Sequence, residues 1–363
     1  MKIIHTESSC GWGGQELRII AEAQGMIGRG HDVCIAAPAE SRLMAEAARR
    51  GLPSAAVPIA GRHLNGMFAL RRFLAGGRAD IVNSHSSTDT WLAALALLTL
   101  PGAPPLVRTR HVSAPIPRNA PTRWLYRRAT AHVVTTGGQL REQVLRETGL
   151  EPVRVTSVRT GIDLARFAPG DRMAARARLG LSQEAFIVGI VATLRSWKGH
   201  RDLVDAVASA ADPRLVLAMV GDGPGADNLR AQVKALALGA RVLMPGNQDD
   251  VVPWLQALDV FALPSYANEG VPQAIMQAMA CGIPVVTTPV GSIGEIVRDG
   301  ETGLMVPARD VARLRDAVLQ LRDDAPLRER LARAGLEFAR ENFSDAVMLD
   351  EMQRIFLRVA GRA

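Results

Sequence analysis

Short apolar runs alternate with longer stretches in which apolar residues recur at helical spacing, from one end of the 363-residue chain to the other. Strands of a parallel sheet read as near-continuous apolar runs and the crossovers between them as amphipathic helices. The pattern therefore predicts an α/β fold of doubly wound parallel sheets with helices on both faces. Early strands are expected at KIIHT, DVCIAA, DIVNSH, LVRTRH, AHVVTT and RVTSV. The stretch GQELRIIAEAQGMIGRG is expected to be a helix with Leu17, Ile20, Ala21 and Ile27 on one face. After the Gly- and Pro-punctuated VRTGIDLARFAPGDR (158–172) the alternation restarts with FIVGIVAT, RLVLAMVG, RVLMPG, VFALPS, IPVVTT and GLMVP. A last run, Ser344 to Ala360, carries Val347, Met348, Met352, Ile355 and Phe356 at helical spacing. The expected organisation is one doubly wound domain over 1–160, a second over 161–343, and a C-terminal helix over 344–363 crossing back to the first.

Composition agrees with two domains: 363 residues at 48% hydrophobic content exceed what one small core needs. The longest apolar run, WLAALALLTL (91–100), is about half of the ~20 residues that span a bilayer, so a buried helix is expected there. The amino terminus, MKIIHTESSC, lacks the three regions of a secretory signal and is expected to be a strand. Cys10, Cys34 and Cys281 form neither a metal-ligand spacing nor a disulfide framework, which points to the cytoplasm. Charge is uneven: residues 1–160 hold 20 Lys+Arg against 11 Asp+Glu, and the remainder 23 against 25. Basic clusters at LRRFLAGGR (70–78) and RNAPTRWLYRR (118–128), the latter with Trp124, Leu125 and Tyr126 among arginines, would suit an anionic surface; a solvated face accounts for them equally well.

Open α/β sheets bind ligands at the carboxyl ends of their strands, so a cleft between two such domains is where chemistry is expected. The first strand runs into SSCGWGGQE (8–16), a glycine-rich turn into a helix that suits an anion. It is neither a dinucleotide fingerprint, because Glu16 stands where a third glycine is needed, nor a P-loop. In VATLRSWKGHRDLVDAV, Arg195 and Lys198 occupy the loop before a helix, and a guanidinium beside an ammonium suits a diphosphate. Lysine occurs at only three positions, 2, 198 and 234, so its use here is informative. In NEGVPQAIMQAMACGIPVV (268–286), Pro272 opens a helix whose first N–H groups, at Gln273 and Ala274, can hold an anion. Glu269 stands just ahead, either as an acceptor for hydroxyls or as a helix-capping acid.

These loops, in this order, resemble the retaining nucleotide-sugar glycosyltransferases of family 4, with the GT-B fold of two Rossmann-like domains. The resemblance runs through the early GG loop, TGID..RF.P (160–169), LRSWKG, VGDGP (220–224), LPS...EG and AMACGIPVVTTPVGSIGEIVRDGETGLMVP. It implies an N-terminal acceptor-binding domain and a C-terminal donor-binding domain. It implies that Gly13, Gly14, Lys198, Gln273 and Ala274 hold the donor diphosphate and that Glu269 contacts the sugar hydroxyls. The base would lie near Gly246, Asn247 and Val251, with Gly270, Val271 and Pro272 in the glutamate loop and His111 near the reacting sugar. Two positions depart from the family pattern. Thr193 stands where an arginine is usual, so Arg195 is expected to supply the guanidinium. Gln277 stands where a second glutamate contacts the ribose, and a neutral acceptor bonds roughly half as strongly as a carboxylate.

The resemblance further implies a retaining mechanism, no metal and no cofactor besides the nucleotide-sugar co-substrate; no Asp-x-Asp or His/Cys cluster occurs in these loops. The expected acceptor is a glycan or lipid-linked molecule of cell-envelope polysaccharide, such as lipopolysaccharide, handled at the inner face of the membrane, with peripheral contact to anionic lipid and none to nucleic acid. Two readings stay beside transfer: a GT-B nucleotide-sugar 2-epimerase and a catalytically silent GT-B scaffold. A Rossmann oxidoreductase is disfavoured by the failed glycine spacing.

Overall fold

The structure is a computed structural model that describes residues 1–267 and 269–362; Asn268, in the expected YANEGV loop, lies outside the described residues. The chain divides into two compact units, Met1–Gly161 with Asp345–Ala363, and Ile162–Ser344. The first unit holds a seven-stranded sheet: β1 (Lys2–Thr6), β2 (Asp32–Ala37), β3 (Ser54–Ala56), β4 (Ile81–Ser84), β5 (Leu106–Arg110), β6 (His132–Thr135) and β7 (Val155–Ser157). Its order is β3-β2-β1-β4-β5-β6-β7, and every pairing is parallel. Strand order reverses between β1 and β4, the kind of point at which open parallel sheets receive ligands.

Alternation along these strands feeds two cores. Ile3, Ile35, Ile81 and Val107 pack under the first helix, Gly14–Gly28, and the last, Asp345–Val359. Ile4, Val82 and Leu106 pack on the opposite face with the helices Leu64–Gly77 and Ser87–Leu98. Met348, Leu349, Met352, Ile355 and Phe356 bury the last helix, and Gly25 lets it approach, since a Cβ there would lie 2.2 Å from Leu349 Cδ1.

The first helix does not bury the face expected from its apolar spacing. Ile19, Ile20, Ala23 and Met26 face inward, whereas Leu17 and Ala21 are half-buried and Ile27 is exposed. The reason is a buried ion pair. Arg18 and Glu22 are both 0% exposed, with Arg18 Nε 3.5 Å from Glu22 Oε2 and Arg18 Nη1 donating to Val158 O at 2.7 Å. A count of apolar residues assigns those two to solvent. The basic RNAPTRWLYRR stretch also differs from expectation. Leu125 and Tyr126 are buried, Arg108 lies 4.7 Å over the Tyr126 ring, and Trp124 stacks on Trp91. Its aromatics serve the core.

The second unit holds β8 (Phe186–Val191), β9 (Leu215–Val220), β10 (Val242–Gly246), β11 (Val260–Leu263), β12 (Val285–Thr287) and β13 (Leu304–Met305). The order is β10-β9-β8-β11-β12-β13, again wholly parallel, with the reversal between β8 and β11. Ile187, Val188, Leu217, Phe261 and Val285 lie within one continuous core.

Candidate functional site

The second unit joins two of the expected residues at its switch point. Lys198 ends a short 3₁₀ turn, Ser196–Lys198, in the loop leaving β8. Glu269 lies in the loop leaving β11, ahead of the helix Gln273–Ala280. Lys198 Nζ donates to both carboxylate oxygens of Glu269, at 2.7 Å and 3.0 Å, and Ser265 Oγ donates to Glu269 Oε1 at 2.6 Å. Glu269 is 4% exposed, and the Lys198 side chain 20%.

Local backbone chemistry explains the meeting. Gly199 adopts φ +78°, and a Cβ there would lie 2.2 Å from Pro264 O, so only glycine allows the β8 loop to lie against the β11 loop. Tyr266 N donates to Trp197 O at 2.8 Å and ties the same two loops. On the other flank, Gly291 has φ +60°, and a Cβ there would lie 2.1 Å from Glu269 O.

The remaining expected residues of this half follow the carboxyl ends of β8, β10 and β11. Thr193 O accepts from Arg195 N at 2.7 Å; Arg195 is exposed and lays its guanidinium 5.5 Å over the Trp197 ring. Gly246 ends β10 at φ +75° and accepts from Gly221 N at 2.9 Å. Asn247 and Val251 follow it, two strands from β8, with no hydrogen bond to Lys198 or Glu269 among the described residues. Gly270, Val271 and Pro272 are buried, Pro272 caps the helix, and Gln273 and Ala274 form its first turn. Gln277 lies one turn on, 9% exposed. The helix begins one residue after the proline, as suits a residue that cannot donate.

In the first unit, Gly13 caps the first helix in an extended conformation and Gly14 begins it. His111 follows β5; its Nε2 lies 3.0 Å from His85 Nδ1, and His85 Nε2 lies 2.9 Å from His5 Nδ1. Beside this file stands a carboxyl cluster. Glu7 Oε1 accepts from Ser9 N at 2.6 Å and Ser86 Oγ at 2.7 Å, Glu7 Oε2 accepts from Gln15, and Asp89 accepts from Thr6, His85 N and Ser86. Burial, with Asp89 nearby, pushes the Glu7 carboxyl up to about 8 against the pull of its Ser86 and Ser9 bonds. Burial also raises Asp89.

His5, His85, Glu7 and Asp89 were not singled out in the sequence. The signal was present in KIIHTES and VNSHSSTD, where polar residues interrupt strands that a buried parallel sheet should keep apolar. Among the described residues no group of three His, Cys, Asp or Glu is arranged to hold a metal ion, and no helix is long and apolar enough to cross a membrane.

Two family models match the chain in succession: Glycosyltransferase Family 4 over residues 12–166 and Glycosyl transferases group 1 over residues 171–338. A D-inositol 3-phosphate glycosyltransferase of Mycobacterium sp. (strain KMS) is 34% identical over 284 residues, covering 72% of this chain and 63% of the relative's length. The chain thus spans less than two thirds of that relative. A glycosyltransferase structure from Rickettsia africae superimposes with a TM-score of 0.88 at 18% identity, covering 100% of this chain and 99% of that one. Anabaena HepE in complex with UDP-glucose superimposes with a TM-score of 0.88 at 20% identity, covering 99% of this chain and 100% of that one. At those identities the superpositions establish the fold, the two Rossmann-like halves called GT-B. With both halves matched in sequence and in fold, the chain belongs to the family 4 glycosyltransferases.

Proposed function

We propose that this protein is a retaining, metal-independent glycosyltransferase that moves a sugar from a nucleotide-diphosphate donor to a glycan or lipid-linked acceptor of the cell envelope. The observation that carries this reading is the Lys198–Glu269 pair at the β8/β11 switch point. An ammonium has three N–H donors, and two go to Glu269, which leaves one for a phosphate oxygen. A carboxylate accepts about four hydrogen bonds; Lys198 and Ser265 supply three, which leaves one for a sugar hydroxyl. The pair thus presents one donor and one acceptor side by side, the complement of a phosphate next to a sugar.

In this reading the acceptor oxygen bonds to the anomeric carbon on the face from which the diphosphate departs, and the departing phosphate oxygen takes the acceptor's proton. Lys198 and the amides of Gln273 and Ala274 stabilise the charge developing on the leaving group. Arg195 takes the part of the arginine absent at Thr193, Gln277 accepts from the ribose, and His111 faces the reacting sugar. The residues after β10, Gly246, Asn247 and Val251, hold the base, while Gly270, Val271 and Pro272 shape the glutamate loop.

The Anabaena relative was crystallised with UDP-glucose, which makes that sugar nucleotide the first donor to try. With an acceptor extract, the account expects an α-linked product from the α-linked donor and unchanged turnover in EDTA. A β-linked product or loss of turnover restored by Mn²⁺ would contradict it. A change of the UDP-sugar without any acceptor would favour the epimerase.

The acceptor side bears on the membrane. The helix Leu64–Gly77 exposes Leu64 (71%) and Phe68 (57%), and Arg71 Nε donates to Thr99 next to the exposed Leu98. Exposed apolar side chains with an arginine on the same helix suit an anionic bilayer surface. Binding to phosphatidylglycerol vesicles that weakens with salt supports this contact; no binding at low salt would contradict it.

A further inference from the structure

Three imidazoles cross the first sheet as a file. His5 on β1 is level with Asn83 on β4, and Asn83 is level with Val107 on β5. His85 stands two residues beyond Asn83, and His111 two residues beyond the position level with His85. Residues two apart share a face of a sheet, so the rings climb along one face towards the carboxyl ends. Adjacent ring centroids are 5.2 Å and 5.3 Å apart. At the inner end His5 Nε2 has no hydrogen-bond partner and lies 4.0 Å from Glu22 Oε1. At the outer end His111 is half-buried, and Nδ1 is the ring nitrogen that does not meet His85.

A neutral imidazole has one donor nitrogen and one acceptor nitrogen, so each bond between rings passes its direction to the next. The direction is set at Glu22. That carboxyl faces Arg18 and accepts from Asn83 Nδ2 at 3.2 Å, and Asn83 is fixed in turn by Thr109. Burial raises the Glu22 carboxyl against the pull of Arg18 and the Asn83 bond; a neutral Glu22 would leave the buried Arg18 charge uncompensated, so the ion pair favours the carboxylate. A carboxylate facing His5 Nε2 favours a proton on that nitrogen over a lone pair. His5 Nδ1 must then accept from His85 Nε2–H, and His85 Nδ1 from His111 Nε2–H.

We propose that Glu22, His5 and His85 are positioning residues that lock His111 as its Nε2–H tautomer, so that Nδ1 accepts a hydrogen bond from a sugar hydroxyl and rejects an acceptor-only oxygen. This rests on the reading of His111 as a group that faces substrate. Burial, aided by the Arg18 charge, lowers His5 to about 3 and holds His111 well below its ordinary value; burial and then His5 do the same to His85. All three rings are therefore neutral near pH 7.5, as such a file requires.

The test is two-bond ¹⁵N–¹H correlation spectroscopy of ¹⁵N-histidine-labelled protein at pH 7.5, with UDP-glucose turnover measured in parallel. The wild type is expected to show His5, His85 and His111 each as a single Nε2–H tautomer. Glu22→Gln should convert His111 to a mixture and lower kcat by about tenfold, the worth of one well-placed hydrogen bond, with little change in KM. Should that variant fail to fold, His5→Asn breaks the file while leaving the Glu22–Arg18 pair in place, and the same spectral change is expected. His111 as the Nδ1–H tautomer in the wild type, or signals unmoved by the substitution, would overturn the locking. A locked His111 with wild-type turnover in His111→Asn would overturn the hydroxyl contact. Absence of turnover in the wild type counts against the proposed function alone, because the spectra need no substrate.

Discussion

Lys198 and Glu269 could both be named from the chain, because a lysine in an arginine-rich protein and an acid before a Pro-started helix are unusual choices. Their bidentate contact could not, since 71 residues separate them. Lys198→Ala should lower kcat/KM on the order of 10²-fold, as for other groups that stabilise transition-state charge; near wild-type kinetics would remove Lys198 from the diphosphate. Gln277→Glu should retain activity if the residue faces ribose, and an inactive but folded variant would contradict that placement. Glu7 gives a stability prediction. Its carboxyl, raised to about 8, holds a proton in the folded state that the unfolded chain releases near 4.5. The folded state then binds more protons over that interval, so this contribution is full below 4.5 and is lost as pH rises through 8. Between pH 6.5 and 8 the wild type should lose on the order of 1 kcal/mol per pH unit relative to Glu7→Gln in urea unfolding. Parallel curves for the two proteins would contradict it. Glu7 escaped the sequence because one acid after a strand reads as a solvated loop, and its burial depends on Ser86 and Asp89 at the start of the helix that follows β4.

Among the elements, strands were the most legible. Each of the expected apolar runs falls on a strand to within two residues, because a parallel strand buried on both faces leaves an almost unbroken apolar signature. β3 was missed, being three small residues, Ser54–Ala56, with no run to see. The first helix was found but turned to the wrong face, because Arg18 and Glu22 neutralise one another inside the fold. The turns at Gly199 and Gly291 show how elements are brought together to aim side chains. Gly199→Ala forces both a strained φ of +78° and a clash with Pro264 O. It should cost about 1–3 kcal/mol and displace Lys198. The measurement is urea unfolding together with donor KM, and a variant as stable and as active as the wild type would show that the loop contact is not needed.

For the whole molecule, the α/β class and the two parallel sheets followed from periodicity, and the family from motifs spread along both halves. The arginines of RNAPTRWLYRR show the limit of composition: the charge is real, yet Tyr126 and Leu125 beside it are core. Acceptor identity is written in no motif, since loops and exposed side chains such as Leu64 and Phe68 obey no periodicity. The central claim is that a nucleotide-sugar binds through Lys198. The direct measurement is a thermal-shift panel with UDP, GDP, ADP and their glucose conjugates on the wild type and on Lys198→Ala. A ligand that binds only the folded state at 100 times its Kd adds about 2.7 kcal/mol, which raises Tm by roughly 5 °C or more for domains of this size. The account predicts such a rise for one nucleotide series in the wild type and its loss in Lys198→Ala. No rise with any of the six ligands, or an equal rise in both proteins, would contradict it.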